Sequence, residues 1–206
     1  YDDSYFDGGG AGYDDYLAES EILTAHGRRY ADLLAGHGVN AGRVLDVGAS
    51  CGFIMKGLSS RGWQGIGLEP NATMAARGRA LTGADIRVGT AEGLPATATP
   101  DAVTSGDAPG PASGDGDTTW QRAPEGSFDL VSLIQVMGHF HDARLALDRL
   151  RARTRPGGWW LVETWDHGSL SARLAGRHWH EYSPPSVLHW FTLGTLTTLL
   201  ADYGLD

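Results

Sequence analysis

Two carboxylates, each closing a short apolar run, are the residues of this sequence best placed to do chemistry. Asp46 opens the stretch Asp46-Val47-Gly48-Ala49-Ser50-Cys51-Gly52, a D-x-G-x-S-x-G spacing. Gly48 lets the chain turn sharply, and Gly52 lets a following helix begin close to a ligand or to a sheet. The dinucleotide fingerprint wants G-x-G-x-x-G, and an acid ahead of the first glycine would face a pyrophosphate unfavourably. A cationic ammonium group suits Asp46 better. Glu69, followed by Pro70, closes a second run 23 residues further on. A carboxylate at that point can accept both hydroxyls of a ribose. A third run leads into Gly89-Thr90-Ala91-Glu92-Gly93-Leu94-Pro95, where a backbone N–H and a polar side chain suit an adenine edge. Together these residues describe a pocket for an amino-acid-like cation, a ribose and an adenine, without phosphate. A nicotinamide oxidoreductase is a further option, disfavoured by the glycine spacing.

Such residues meet only if strand ends are brought side by side. Residues 17–37 carry Ile22, His26, Tyr30, Leu33 and His37 at helical spacing, with Gly36 and Gly38 as the stop. Strands are then expected at Arg43–Val47, Gln64–Glu69, Asp85–Val88, Ser127–Gln135 and, after a turn at 155–158, Trp159–Thr164. Helices are expected at Phe53–Ser60, Asn71–Leu81, Asp142–Arg153 and Thr192–Tyr203. The fourth strand is almost continuously apolar, as a strand buried on both faces must be. This alternation predicts an α/β fold, Rossmann-like and doubly wound, with a mainly parallel sheet and helices on both faces. In such sheets ligands sit outside the carboxyl ends of the strands, near the switch in strand order. The reading is a single domain over 1–206 with an N-terminal helical cap at about 1–40. A Pro/Gly/Ser/Thr/Asp-rich insertion at about 96–126 reads as disordered, and an aromatic segment at about 166–191 covers the substrate.

Composition narrows the partners. The 206 residues are 41% hydrophobic and 20% charged, with a formal net charge of −9. That balance disfavours a nucleic-acid binder, which needs a basic face. No run of about 18 apolar residues or basic-then-apolar leader is visible, so no membrane partner and a cytoplasmic location are expected. Cys51 is the only cysteine, which excludes an intramolecular disulfide and a Cys-rich zinc site. It reads as a small buried filler rather than a nucleophile, since no His-Asp pair is identifiable for it. No His/Asp/Glu cluster has metal-ligand spacing, so no metal is expected. The oligomeric state is left open.

The sequence resembles class I S-adenosylmethionine-dependent methyltransferases. Asp46 to Gly52 is similar to their glycine-rich first motif, Glu69 to their ribose-binding acid and Thr90–Glu92 to their adenine loop. Phe128-Asp129-Leu130-Val131 through Gln135 resembles the fourth-strand motif, and Arg155-Pro156-Gly157-Gly158 the turn before the fifth strand. Residues 176–185 and 188–192 are similar to a bacterial subfamily of ubiquinone-type O-methyltransferases and of saccharide and natural-product tailoring enzymes. The resemblance implies S-adenosylmethionine as cofactor and methyl transfer to an O, N or C atom of a small-molecule acceptor. It implies cofactor contacts from Asp46, Gly48, Ala49, Ser50, Gly52, Glu69, Pro70, Thr90, Ala91, Glu92, Gln135 and Val136. Four departures stand out. Ser50 replaces a commoner Gly, Thr90 stands where Asp is frequent, Gly138-His139 replaces Glu-His, and Val187 takes a place where relatives have His. The family also closes with two antiparallel strands, and Asp206 comes before them.

Methyl transfer is a displacement in which the cofactor carries the activation and the protein aligns the reactants. A base is needed only where the acceptor must lose a proton. His139 follows the fourth strand and is the proposed base; a structural role is the alternative reading. His141, Glu163, His167, His180, Glu181, Tyr182 and His189 lie on the same edge. Tyr13 and Tyr16 read as a cofactor lid or as anchors of the first helix. A non-catalytic cofactor-binding or scaffold protein is the alternative function, motivated by Gly138.

Overall fold

A computed structural model of the chain describes residues 18–96 and 126–205. Tyr13, Tyr16 and nearly all of the 96–126 insertion lie outside the described residues. Helix α1 spans Ser20–Gly36, followed by β1 (Arg43–Val47), α2 (Phe53–Ser59), β2 (Gln64–Glu69), α3 (Ala72–Thr82) and β3 (Asp85–Val88). After the insertion come β4 (Phe128–Ile134), a 3-10 turn (Met137–His139), α4 (Ala143–Arg153), β5 (Thr154–Glu163), α5 (Leu170–Ala175) and α6 (Leu193–Ala201). The five strands form one sheet in the order β3-β2-β1-β4-β5, and every pairing is parallel. The chain therefore walks outward from β1 to β3 and returns to the other side of β1 as β4. The expected doubly wound parallel sheet is what forms, and its switch in strand order lies between β1 and β4.

Two-residue alternation explains why both faces are covered. On β1 and β4, Val44 and Leu130 bury into a cluster with Ala31, Leu34, Leu58 and Trp63. The alternate positions Leu45, Val47, Val131 and Leu133 bury into the other cluster, with Leu147 and Leu150 of α4. Asp46 and Ser132 stand opposite each other in register and share the Val44/Leu130 face. A polar pair is thus carried into the layer where α1 and α2 pack.

Helix boundaries differ from the sequence expectation where caps intervene. Asn71 and Asp142 lie just outside α3 and α4, their side chains accepting from the backbone N–H of Met74 and Leu145. The Arg155–Gly158 stretch, expected as a turn before a strand, belongs to β5 itself. Thr154 already pairs with Phe128, and pairing resumes at Leu130 with Trp159, so the stretch forms a bulge. Trp160 donates its indole N–H to Thr154 Oγ1 and packs on the core, whereas Trp159 is half-exposed.

Candidate functional site

The residues expected to meet a cofactor gather at the tips of β1 and β2. Gly48 N and Ala49 N both donate to Leu68 O, at 2.8 and 3.1 Å, which ties the turn after β1 to the neighbouring strand. Gly48 has φ +72, and a Cβ there would come within 3.0 Å of Val136 Cγ2. The turn after β4 therefore closes against a position only glycine fills comfortably. Ala49 points away, into a core cluster with Met55, Ala75 and Ile86. Ser50 holds φ +47, a left-handed conformation unusual for a side-chain-bearing residue. Its backbone N–H donates to Glu69 Oε2 at 2.8 Å. Glu69 Oε1 accepts from Asn71 N at 2.9 Å, so one carboxylate braces the glycine-rich turn and the start of α3.

Both acids are buried, at 3% exposure each. Ser132 Oγ donates to Asp46 Oδ1 at 2.5 Å. Burial pushes the Asp46 carboxyl up to about 7; the Ser132 hydrogen bond opposes this and the negative charge of Glu69 adds to it. Burial also raises Glu69, against the two backbone N–H bonds that favour its ionised form. A cation beside the two carboxylates would favour their charged forms.

The remaining expected cofactor residues occupy varied positions. Thr90 Oγ1 accepts from Gly93 N at 3.1 Å, and Glu92 Oε1 from His141 N at 2.9 Å. Thr90 thus braces the loop after β3, and Glu92 ties that loop to the one after β4. Ala91 is buried in the core and Pro70 is exposed. Gln135 has φ +55, and its Nε2 donates to Glu163 Oε1 at 3.2 Å while Tyr30 Oη donates to Glu163 Oε2 at 2.8 Å. Burial and the Glu163 charge raise the Tyr30 hydroxyl well above its ordinary value. Ser132 and Tyr30 were not among the expected site residues. Ser132 is found only from its register with Asp46.

Beyond Gln135, the ends of β4 and β5 open into a small cleft. Trp165, Trp179 and Trp190 line it together with His139, Glu181 and His189. His139 Nδ1 lies 2.7 Å from Ser186 O, and His189 Nε2 lies 2.9 Å from Phe140 O. A carbonyl accepts only, so each of these nitrogens carries the proton, and the neutral ring bears its lone pair on the other nitrogen. Gly138 lies under this cleft: a Cβ there would meet His189 O at 3.1 Å and Val187 Cγ1 at 3.3 Å. The glycine that departs from the family pattern makes room for the 187–189 segment, which donates from Leu188 N and His189 N to Gly138 O. His141 is exposed, and His167 packs on Trp179, their ring centroids 5.6 Å apart.

The sequence profile of the methyltransferase domain matches residues 21–206. The chain belongs to this methyltransferase family. No curated protein sequence matches it. Its fold is similar to that of a SAM-dependent methyltransferase of Thermotoga maritima described as a possible histamine N-methyltransferase. Identity there is 19% and the TM-score 0.64, covering 93% of this chain and 74% of that one. A SAM-dependent methyltransferase from Archaeoglobus fulgidus is 17% identical with a TM-score of 0.63, over 97% of this chain and 72% of that one. The YcgJ protein of Bacillus subtilis is 18% identical with a TM-score of 0.60, over 89% and 68%.

The methyltransferase is thus an enzyme whose cofactor is S-adenosylmethionine, and its cradle fits that group. Ser50 Oγ is buried with no hydrogen-bond partner, an orphan that a ligand atom can satisfy. Glu69 accepts two backbone N–H bonds, and an ionised carboxylate has about four acceptor sites, which leaves room for two hydroxyls. Among the described residues no group of His, Cys, Asp and Glu could hold a metal ion, and no helix is long and apolar enough to cross a membrane.

The orphan hydroxyl yields a prediction with opposite signs in two measurements. Ser50→Gly removes left-handed strain of about 1 kcal/mol or more, so the melting temperature of the free protein rises. Loss of one hydrogen bond lowers affinity for S-adenosylhomocysteine several-fold, about 1 kcal/mol. Calorimetric titration and thermal melts on the same samples check both.

Proposed function

We propose that the methyltransferase moves a methyl group from S-adenosylmethionine to a small-molecule acceptor held in the tryptophan-lined cleft. The observation that carries this reading is the pair of buried acids at neighbouring strand tips, next to an orphaned serine hydroxyl and on the same edge of the sheet as a cleft with two imidazoles. When bound, S-adenosylmethionine supplies a methyl group activated on a sulfonium. Asp46 and the turn Gly48-Ala49-Ser50-Gly52 hold the methionine end, and Glu69, with Pro70 behind it, takes the ribose. Backbone groups of Thr90, Ala91 and Glu92 border the adenine, since the side chains are engaged within the chain. Gln135 and Val136 line the methionine side of the cofactor. His139, with Nδ1 turned to Ser186 O, takes the role of base for the acceptor's proton.

Titration calorimetry with S-adenosylmethionine and S-adenosylhomocysteine tests the cofactor assignment; a folded protein that binds neither overturns it. His139→Ala is expected to lower turnover of an acceptor by about 10²–10⁴-fold, the usual range for a lost general base. Affinity for S-adenosylhomocysteine should stay within about twofold of the parent, a negligible change on the free-energy scale. A variant with parental turnover removes His139 from the mechanism.

The buried acids make cofactor affinity pH-dependent. The Asp46 carboxyl titrates at about 7 in the free protein, above its value in an unfolded chain. The free fold therefore holds an extra proton from about pH 4 to 7, and its stability falls as pH rises through that window. A bound ammonium group displaces the proton. Affinity for S-adenosylhomocysteine should then rise by up to about tenfold per pH unit between pH 5 and 7, and level off above. In Asp46→Asn this slope should flatten. A parental slope in the variant would assign the titration to another group.

A further inference from the structure

The chemistry of the cleft specifies its ligand more closely than its position does. Four lining side chains direct an N–H at the chain itself. Gln135 Nε2 donates to Glu163, His139 Nδ1 faces Ser186 O, His189 Nε2 faces Phe140 O and Trp190 Nε1 donates to Glu181 O. His189 keeps its lone pair on Nδ1, and Glu181 adds a carboxylate. None of the lining residues is Lys or Arg, and the charge behind Gln135 is another carboxylate, Glu163. His180 Nε2 lies 2.9 Å from Glu181 Oε1. The indoles of Trp165, Trp179 and Trp190 supply flat apolar walls.

With imidazole and carboxylate acceptors and no Lys or Arg in its lining, the cleft disfavours carboxylates and phosphates and favours cationic groups. Indole faces add stacking and cation–π attraction for a compact ring that carries a cation. Proton chemistry separates amines from alcohols. An alkylammonium loses its proton near pH 10, roughly within reach of an imidazole and mild alkali, whereas a hydroxyl as weakly acidic as water, near 16, is not.

Resting on the methyl-transfer reading above, we propose that the acceptor is an amine borne on a compact ring free of phosphate and carboxylate. The bound ammonium first gives one proton to an imidazole of the cleft, which passes it to solvent. The freed amine lone pair then forms a bond to the methyl carbon as the carbon–sulfur bond breaks; the sulfonium leaves as a neutral thioether and the product departs as the methylated ammonium.

The test uses protein loaded with S-adenosylhomocysteine and two matched trios as calorimetric titrants. One is benzylamine, benzyl alcohol and phenylglycine; the other is glucosamine, glucose and glucosamine 6-phosphate. At least one amine should bind about tenfold or more tightly than both its hydroxyl and its anionic partner, a difference of about 1.4 kcal/mol. Glu181→Gln should remove most of that preference while leaving the hydroxyl compound's affinity unchanged. Failure of S-adenosylhomocysteine itself to bind overturns the cofactor reading and this inference together. If it binds but neither amine does below about 10 mM, the amine assignment alone falls. It falls equally if the hydroxyl or anionic partners bind as well as the amines, or if Glu181→Gln leaves the preference intact.

Discussion

Glu69→Ala is expected to reduce affinity for S-adenosylhomocysteine by about 100-fold or more, the equivalent of one or two charge-assisted hydrogen bonds at about 1.5–3 kcal/mol each. The residue acts on the pocket twice. Directly, its carboxylate has acceptor capacity beyond the two backbone bonds it makes. Indirectly, those bonds, at 2.8 Å to Ser50 N and 2.9 Å to Asn71 N, hold the glycine-rich turn in the shape a ligand meets. The effect on folding should be much smaller. Truncation leaves two buried N–H groups unpaired, at about 1–3 kcal/mol each, but also removes a carboxylate that burial disfavours. Binding and stability should therefore separate. Titration calorimetry should show the loss, while a thermal melt of the free variant stays close to the parent. Glu69→Gln restores one acceptor atom and should recover part of the affinity. Parental affinity in the alanine variant would take Glu69 out of the cofactor site.

The second large effect concerns the support beneath the pocket. Helices α1 and α2 touch backbone to backbone at Gly27 and Gly57. A Cβ on Gly57 would lie 2.3 Å from Thr24 O and 2.7 Å from Gly27 Cα, atoms that can yield only if a helix moves. Gly57→Ala gains about 1 kcal/mol of helix propensity. Forced overpacking typically costs 1–3 kcal/mol, and sits at about the upper end or above where backbone atoms collide. A net loss of about 2 kcal/mol or more is expected in denaturant unfolding. Because α2 begins at Phe53, directly after Gly52 of the cofactor turn, cofactor affinity should fall as well. Gly36→Ala, at the end of α1 with nothing within 4 Å of its Cβ, is the contrasting substitution. It should stabilise slightly, by about 0.5–1 kcal/mol. Equal stability of the Gly57 variant and the parent would show that the two helices are not tightly seated.

Much of this molecule is legible along the chain. The near-continuous apolar run at 128–134 announces a strand buried on both faces, and the structure buries Leu130 on one side and Val131 and Leu133 on the other. The spacing of Asp46, Gly48, Ser50, Gly52 and Glu69 reports the turn chemistry directly, since strand ends and glycine turns are properties of neighbouring residues. The capping residues moved three helix starts by one position, because Asn71, Asp142 and Thr192 bond to the helix from outside it. The bulge at 155–158 reads as a plain turn from its Pro-Gly-Gly composition. Its participation in β5 depends on the pairing of Thr154 with Phe128, which local composition does not encode.

The site's inner partners were a different matter. Ser132 meets Asp46 across 86 positions, and Tyr30 meets Glu163 across 133. Neither contact has a local signature, because serine and tyrosine are common and their partners are set by sheet register and helix docking. Thr90 and Glu92 read as ligand contacts from their loop, yet their side chains are taken up by Gly93 N and His141 N. Gly27 and Gly57 look like weak points in helices until the helices are laid together and the glycines prove to be where they touch. Strand ends, turns and buried faces follow from residues a few positions apart, whose backbone and hydropathy preferences act locally. The pairing of acids, hydroxyls and indoles across the crevice arises only when packing brings distant segments within hydrogen-bonding range, and the competition for each polar atom is decided there.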